Sequence, residues 1–221
     1  MSLFATLCAA HMRLAWRGGQ TVLAVSFLFI AITLLPFGLG PELKLLRALA
    51  PGLLWVVLAM SLLTTLDRLF QADFEDGTLD RLRLLPVPFE AALLAKLTGH
   101  FLVLVVPLIL SVPLAGLLLN IEAARLPLLL AAMLCGAPAL VLLGGIGAAL
   151  AVSVRRGGLL TVLIAMPFYV PVLIFGAAAS QAALATGTAL WPYLGILAAL
   201  SAATILLAPF AIAAALRVAQ D

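Results

Sequence analysis

Long, uncharged apolar runs alternate with short charged stretches along the whole chain. The apolar runs are continuous rather than alternating, which predicts membrane helices and argues against the strands of a β-barrel. A hydrocarbon core about 30 Å thick takes about 20 apolar residues per helix. By that measure residues 20–38, 49–66, 97–121 and 126–154 each predict one span, the fourth long enough to tilt. Residues 157–216 carry no charge and are too long for a single crossing. Ser180, Gln181, Thr186, Gly187, Thr188 and Pro192 divide them into spans at about 158–180 and 190–216. The expected fold is an all-α polytopic membrane protein with six transmembrane helices, residues 1–221 forming a single transmembrane domain.

Composition agrees and removes other classes. Of the 221 residues 66% are hydrophobic and 10% are charged, against roughly 25% in an ordinary soluble domain. A soluble enzyme, a disordered chain and a disulfide scaffold are excluded on that ground. The net charge of +3 does not point to nucleic acid, because the basic residues are scattered at segment ends with no dense patch among aromatics. They serve better as orientation signals. With the N-terminus inside, nine basic residues (Arg13, Arg17, Arg68, Arg81, Arg83, Lys96, Arg155, Arg156, Arg217) lie on the cytoplasmic side and three (Lys44, Arg47, Arg125) outside. Both termini are therefore expected in the cytoplasm, with Trp191 and Tyr193 at the outer interface.

Residues 1–17 do not read as a signal peptide, since the first long apolar run follows Arg13 and Arg17 without a convincing cleavage site. Ser2–Arg17 reads instead as an amphipathic interfacial helix, with Leu3, Phe4, Leu7, Leu14 and Trp16 supplying apolar surface. Gly144, Gly145, Gly147 and Ala148 make a small-residue face suited to close helix packing. Pro36, Pro51, Pro107, Pro113, Pro138, Pro167, Pro171 and Pro209 fall in or beside spans; broken helices around a substrate path would use them, but the favoured reading is ordinary membrane helices, where proline is frequent.

Residues 67–96 hold ten of the 21 charged side chains and make the one long polar segment. Two helices can be joined in 2–8 residues, so a loop of this size has another task or simply rests on the headgroups. Asp76 is placed to cap a short helix, Gly77 permits the turn, and Thr78 is a second capping candidate. Leu79, Leu82 and Leu85 recur at helical spacing, with Asp80, Arg81 and Arg83 between them, before Pro86 and Pro88 stop the helix. Such a helix suits docking to a cytoplasmic partner, leucines filling a groove and charges setting register.

The chain carries no phosphate-binding loop of its own. Its lysines are Lys44 and Lys96, and neither follows Gly or precedes Ser or Thr. No HExxH, GxSxG or CxxC occurs, and Cys8 and Cys135 read as small apolar side chains. An enzyme is not expected, and no metal site. His100, one turn into the third span and near enough to the edge to be wet, reads first as a structural or interfacial histidine and only weakly as a ligand or proton-handling residue.

On these residues the chain resembles the haem exporter protein B (CcmB) family. Phe70, Asp73, Asp76-Gly77, Leu79, Leu84-Leu85-Pro86, Pro88 and Lys96 match the family's loop, with Thr78 where Ser is usual. Ile32–Pro36 with Gly40-Pro41-Glu42, Ala50-Pro51-Gly52 with Trp55, Arg156-Gly157-Gly158, and Pro209–Ala211 with Ala213–Arg217 agree as well. The resemblance implies the permease subunit of the cytochrome c maturation ABC transporter, an exporter-like half-transporter of the ABC-2 type acting as a homodimer in the bacterial inner membrane. It implies as partners the separate cytochrome c maturation ATPase, membrane proteins C and D, and the haem chaperone E. Haem enters as the exported or handled species, with chaperone release the competing view, and no cofactor is expected to be bound directly. The expected ATPase contact is Asp67, Arg68, Phe70, Asp73, Glu75, Asp76, Gly77, Thr78, Leu79, Asp80, Arg81, Leu82 and Arg83. The rivals are an ABC-2 permease for a lipid or drug and a membrane scaffold for haem-handling proteins.

Overall fold

The computed structural model describes residues 3–40, 42–66, 68–154, 158–185 and 190–220, and among them it contains helices and turns but no strand. Ser2, Pro41, Asp67, Arg155, Arg156 and Gly157, all named above, lie outside the described residues, as do Thr186, Gly187 and Thr188. Helix α1 (Leu3–Arg17) precedes α2 (Gln20–Leu39) and α3 (Leu43–Leu66). Two short helices follow, α4 (Arg68–Glu75) and α5 (Thr78–Arg83). The next long column is α6 (Phe89–His100), a π-turn at Phe101–Val105, and α7 (Val106–Leu118). The rest is α8 (Leu126–Ala151), α9 (Gly158–Leu184) and α10 (Leu190–Gln220). Six of these columns are long and apolar enough to cross a membrane, making this an all-α, multi-pass membrane protein. Successive columns run antiparallel, so α1, α4, α5 and the end of α10 share one end of the bundle, here the loop end. The C-terminal end of α2, the start of α3 and the 119–125 turn share the far end.

Several helices pass through charges at which a hydropathy boundary would stop. Helix α3 begins at Leu43 rather than 49 and takes in Lys44 and Arg47; the third column begins at Phe89 rather than 97 and takes in Lys96. A charge ends a membrane helix only where it lacks a partner or a route to water. Arg47 has Glu122, and Lys96 has Asp73.

Helix α8 runs through the centre of the bundle and touches α3, α4, α6, α9 and α10. Its glycines make that possible. A Cβ on Gly144 would stand 2.5 Å from Leu66 Cδ1 and from Tyr169 Oη, one on Gly145 3.0 Å from Leu97 Cδ2, and one on Gly147 3.1 Å from Thr161 O. Three neighbouring helices thus approach α8 where it has no side chain, as expected where small residues set helix distance. Trp55 of α3 is boxed in the same way, between Gly136 and Gly176, and its indole N–H donates to Ser180 Oγ at 2.8 Å. That bond satisfies a buried donor in the apolar interior.

The π-turn has a local cause. Pro107 lacks the N–H that would bond Val103 O one turn earlier, and its ring crowds that carbonyl. The column widens there, and Thr21 Oγ1 of α2 donates to the freed Val103 O at 3.0 Å.

Candidate coupling site

Helices α4 and α5 form a small hairpin across the loop end. Gly77 makes the turn at φ +72°, a left-handed conformation that a Cβ would strain. Asp76 Oδ1 accepts the Thr78 N–H at 2.9 Å at the start of α5, the capping role its position suggested. Bonds from the Thr78 hydroxyl and then its amide hold the exposed Asp76 carboxyl below its ordinary pKa, so it is ionised at neutral pH.

The leucine stripe of this hairpin faces inward. Leu79 and Leu82 are buried with Leu69 and Phe70 in the continuous apolar core. The expectation that these leucines fill a groove on a partner is corrected: period-3 leucines on so short a helix are used by the protein's own bundle, which offers the nearer apolar surface. The charged side chains that the hairpin exposes are Arg68, Glu75, Asp76, Asp80 and Arg81, with Ala72 exposed on α4 and Leu84 85% exposed just past α5. Gly77, Thr78 and Arg83 are half-buried, and the Arg83 guanidinium lies 5.3 Å over the Phe89 ring. Of the thirteen residues expected at the contact, then, Phe70, Asp73, Leu79 and Leu82 have side chains turned away from any partner.

Asp73 is the most informative of these. It lies on the buried face of α4 and forms an ion pair with Lys96 of α6; their side chains are 7% and 8% exposed. The Lys96 ammonium also stands 5.7 Å over the Phe70 ring, so α4 supplies it with both a carboxylate and an aromatic face. Lys96 was counted above as an orientation charge and not as a site residue. The missed signal is its setting: a lysine with apolar neighbours inside a helix is seldom buried unless paired.

A cavity of about 430 Å³ opens beside this pair, between α1, α4 and α6. His11, Asp73, Lys96 and His100 line it, together with the exposed Arg68 and the half-buried Gln71. His100 is 5% exposed, so the expectation of a wet edge residue is corrected: α1 covers it. That cover depends on Gly99, whose Cβ would lie 3.0 Å from Cys8 O and 3.3 Å from His11 Cβ. The Nε2 atoms of His11 and His100 are buried without a hydrogen-bond partner. Burial first, and then the Lys96 charge, lower the His11 pKa to about 4 against the opposing pull of Asp73, so this imidazole is neutral at physiological pH. Among the described residues no group of three or more His, Cys, Asp or Glu side chains could hold a metal ion.

The comparisons with known proteins cover nearly the same span as the bundle. The family model described as CcmB protein matches residues 2–219. Heme exporter protein B of Paracoccus denitrificans (strain Pd 1222) is 51% identical over 213 residues, covering 96% of this chain and 97% of that one. Heme exporter protein B of Bradyrhizobium diazoefficiens is 42% identical over 222 residues, covering 100% of both. Heme exporter protein B of Escherichia coli (strain K12) is 40% identical over 217 residues, covering 98% of both.

Proposed function

This chain belongs to the CcmB family, and from that premise we propose that it is the membrane permease subunit of an ABC-type transporter serving haem export or delivery in c-type cytochrome biogenesis. The observation that carries this reading is the end-to-end likeness to several heme exporter proteins B, each matched over nearly its full length. The same reading sets the protein in the bacterial inner membrane with the loop end in the cytoplasm. It works there as a homodimer, with an ATPase subunit, membrane proteins C and D and haem chaperone E as partners. Its work is to release the haem-loaded chaperone or to pass haem itself; in either case haem is handled and not a resident cofactor.

The energy enters from the separate ATPase subunit. Neither lysine of this chain sits in a phosphate-binding loop, and Lys96 is taken up by Asp73. The polar face of the α4–α5 hairpin, with Arg68, Glu75, Asp76, Asp80 and Arg81 outward, is the docking surface. Its apolar side is anchored in the bundle, so a push on the polar side moves membrane helices rather than bending a loose loop. Two ATPase subunits closing on nucleotide need two such hairpins, which is the reason for the homodimer.

The experiment exchanges charge only where the surface is exposed. Asp76→Arg combined with Arg81→Glu leaves the buried leucines in place, and is expected to strip the ATPase subunit from the complex in mild detergent and to abolish c-type cytochrome assembly. Normal subunit binding and normal cytochromes in that variant would refute the docking surface. Normal cytochromes in a strain lacking the chain altogether would refute the haem reading and leave a lipid or drug permease.

A further inference from the structure

The Lys96–Asp73 pair has no obvious reason to exist as a matter of stability. A buried ion pair is about as stable as, or less stable than, two well-packed apolar side chains of similar volume. Here the surroundings are apolar enough for that replacement, with Leu69, Phe70 and Leu93 buried nearby on the same helices. What the pair has and an apolar contact lacks is direction, and the ability to exchange partners.

Both properties are served by the setting. The pair joins two elements 23 residues apart in the chain, the short helix α4 and the membrane column that begins with α6. One turn beyond Lys96 that column reaches the π-turn at Phe101–Val105, where the proline-weakened backbone is held by Thr21 of α2. Helix α1 is seated on Gly99, so it travels with the same turn of α6. Inside the adjoining cavity two imidazole nitrogens, His11 Nε2 and His100 Nε2, stand buried and unpartnered. An unsatisfied buried nitrogen is costly in one arrangement and useful if another arrangement supplies its partner.

We propose that Lys96 and Asp73 are positioning residues for energy coupling: the ion pair ties α4 to α6, and on movement of α4 the Lys96 ammonium passes from the Asp73 carboxylate to the imidazoles of His11 and His100. The joint then has two arrangements, one with the carboxylate engaged by Lys96 and one with the imidazoles engaged and the carboxylate carried by α4 out to water, so that neither leaves a buried charge unpaired. This is the discrete element that coupling requires. The displacement of Lys96 is passed along the column to the π-turn, where Pro107 has already interrupted the backbone ladder. No proton is transferred, since the ammonium donates in both arrangements. This rests on the reading that an ATPase subunit docks on the α4–α5 hairpin.

The test uses the full chain in complex with its ATPase subunit. Lys96→Met with Asp73→Leu replaces the pair by apolar side chains; Lys96→Gln with Asp73→Asn serves where that variant does not fold. Either is expected to keep the ATPase subunit bound and hydrolysing ATP, while the yield of c-type cytochromes falls at least tenfold. The charge-exchanged variant, Lys96→Asp with Asp73→Lys, is expected to recover a good part of that loss. His11→Leu with His100→Leu is expected to reduce the yield similarly, because it removes the second set of acceptors. Hydrogen exchange at residues 101–105 should respond to ATP in the unaltered complex and stay flat in the apolar variant. Normal cytochrome yield in the apolar variant would overturn the joint, as would an ATP response at 101–105 that survives in it. An unaltered chain that never binds the ATPase subunit would instead overturn the docking reading.

Discussion

Two ion pairs at opposite ends of the bundle, Arg47–Glu122 and Lys96–Asp73, work in opposite ways. At the far end Arg47 Nη2 meets Glu122 Oε1 at 2.8 Å, with side chains 40% and 54% exposed, and Arg125 stands within 4.0 Å of the same carboxylate. Arg125 also donates to Ala185 O at 3.2 Å, fastening one turn to another. At the loop end Lys96 and Asp73 are almost wholly covered and sit beside two histidines and an open cavity. Water screens the first pair, so it trims the connections without governing them. The second pair is desolvated, so each partner depends on the other. Charge at the far end orders turns, and at the loop end an exposed Arg217–Glu90 pair at 2.7 Å does much the same, whereas the buried Lys96–Asp73 pair joins a peripheral helix to a membrane column.

The largest effect expected from breaking this contrast is at Lys96. Lys96→Met leaves the Asp73 carboxylate buried and unpaired, and is expected to destabilise the protein by about 3–5 kcal/mol. Thermal unfolding in detergent reads it, and adding Asp73→Leu should restore most of the loss. A single variant as stable as the parent would contradict the burial of the pair. Next comes a purely steric lesion away from either end. Gly176→Leu drives a Cβ to 2.5 Å from Trp55 Cε2, and overpacking of this kind costs about 1–3 kcal/mol. Alanine in place of Trp55 in the same chain should relieve the clash but open a cavity, so the two changes should combine non-additively.

A pH effect is expected at the loop end. The folded pKa of His11, about 4, lies below its ordinary value of 6.5, so folding favours the neutral ring. The contribution is fully present above pH 6.5, declines as pH falls, and is lost near pH 4. Protection of Leu3–Arg17 amides should therefore weaken from pH 7 to pH 4.5, and His11→Gln should flatten the trend. Equal protection at both pH values in the unaltered protein would count against a buried neutral His11. The smallest effect is expected at the far end, where Glu122→Gln should shift stability by less than about 1 kcal/mol and fade further in high salt.

Much of the architecture could be read from side-chain type and run length. The six columns follow from uninterrupted apolar stretches, and the Gly144–Ala148 face foretold close approach by neighbouring helices. Within the hairpin, the turn at Gly77 and the capping bond from Asp76 are local matters settled by adjacent residues. The column ends were less legible, because a charge halts a hydropathy window whether or not it has a partner. Lys44, Arg47 and Lys96 all lie inside helices, past the ends that such a window sets.

The direction in which the loop faces was not legible at all. Leu79 and Leu82 at helical spacing announce an apolar stripe, but spacing is silent on whether that stripe meets another protein or the chain's own core. Asp73 and His100 likewise carry the same letters whether exposed or buried.

By itself the sequence determined a six-column membrane protein with its polar segment at one end, because hydrophobic burial is a sum over run length that needs no knowledge of neighbours. Only the tertiary structure decided that Asp73 finds Lys96, that α1 seals His100, and that the hairpin shows its charges outward. Those are meetings between residues distant in the chain, and the energy of a charge or a stripe depends on what it meets.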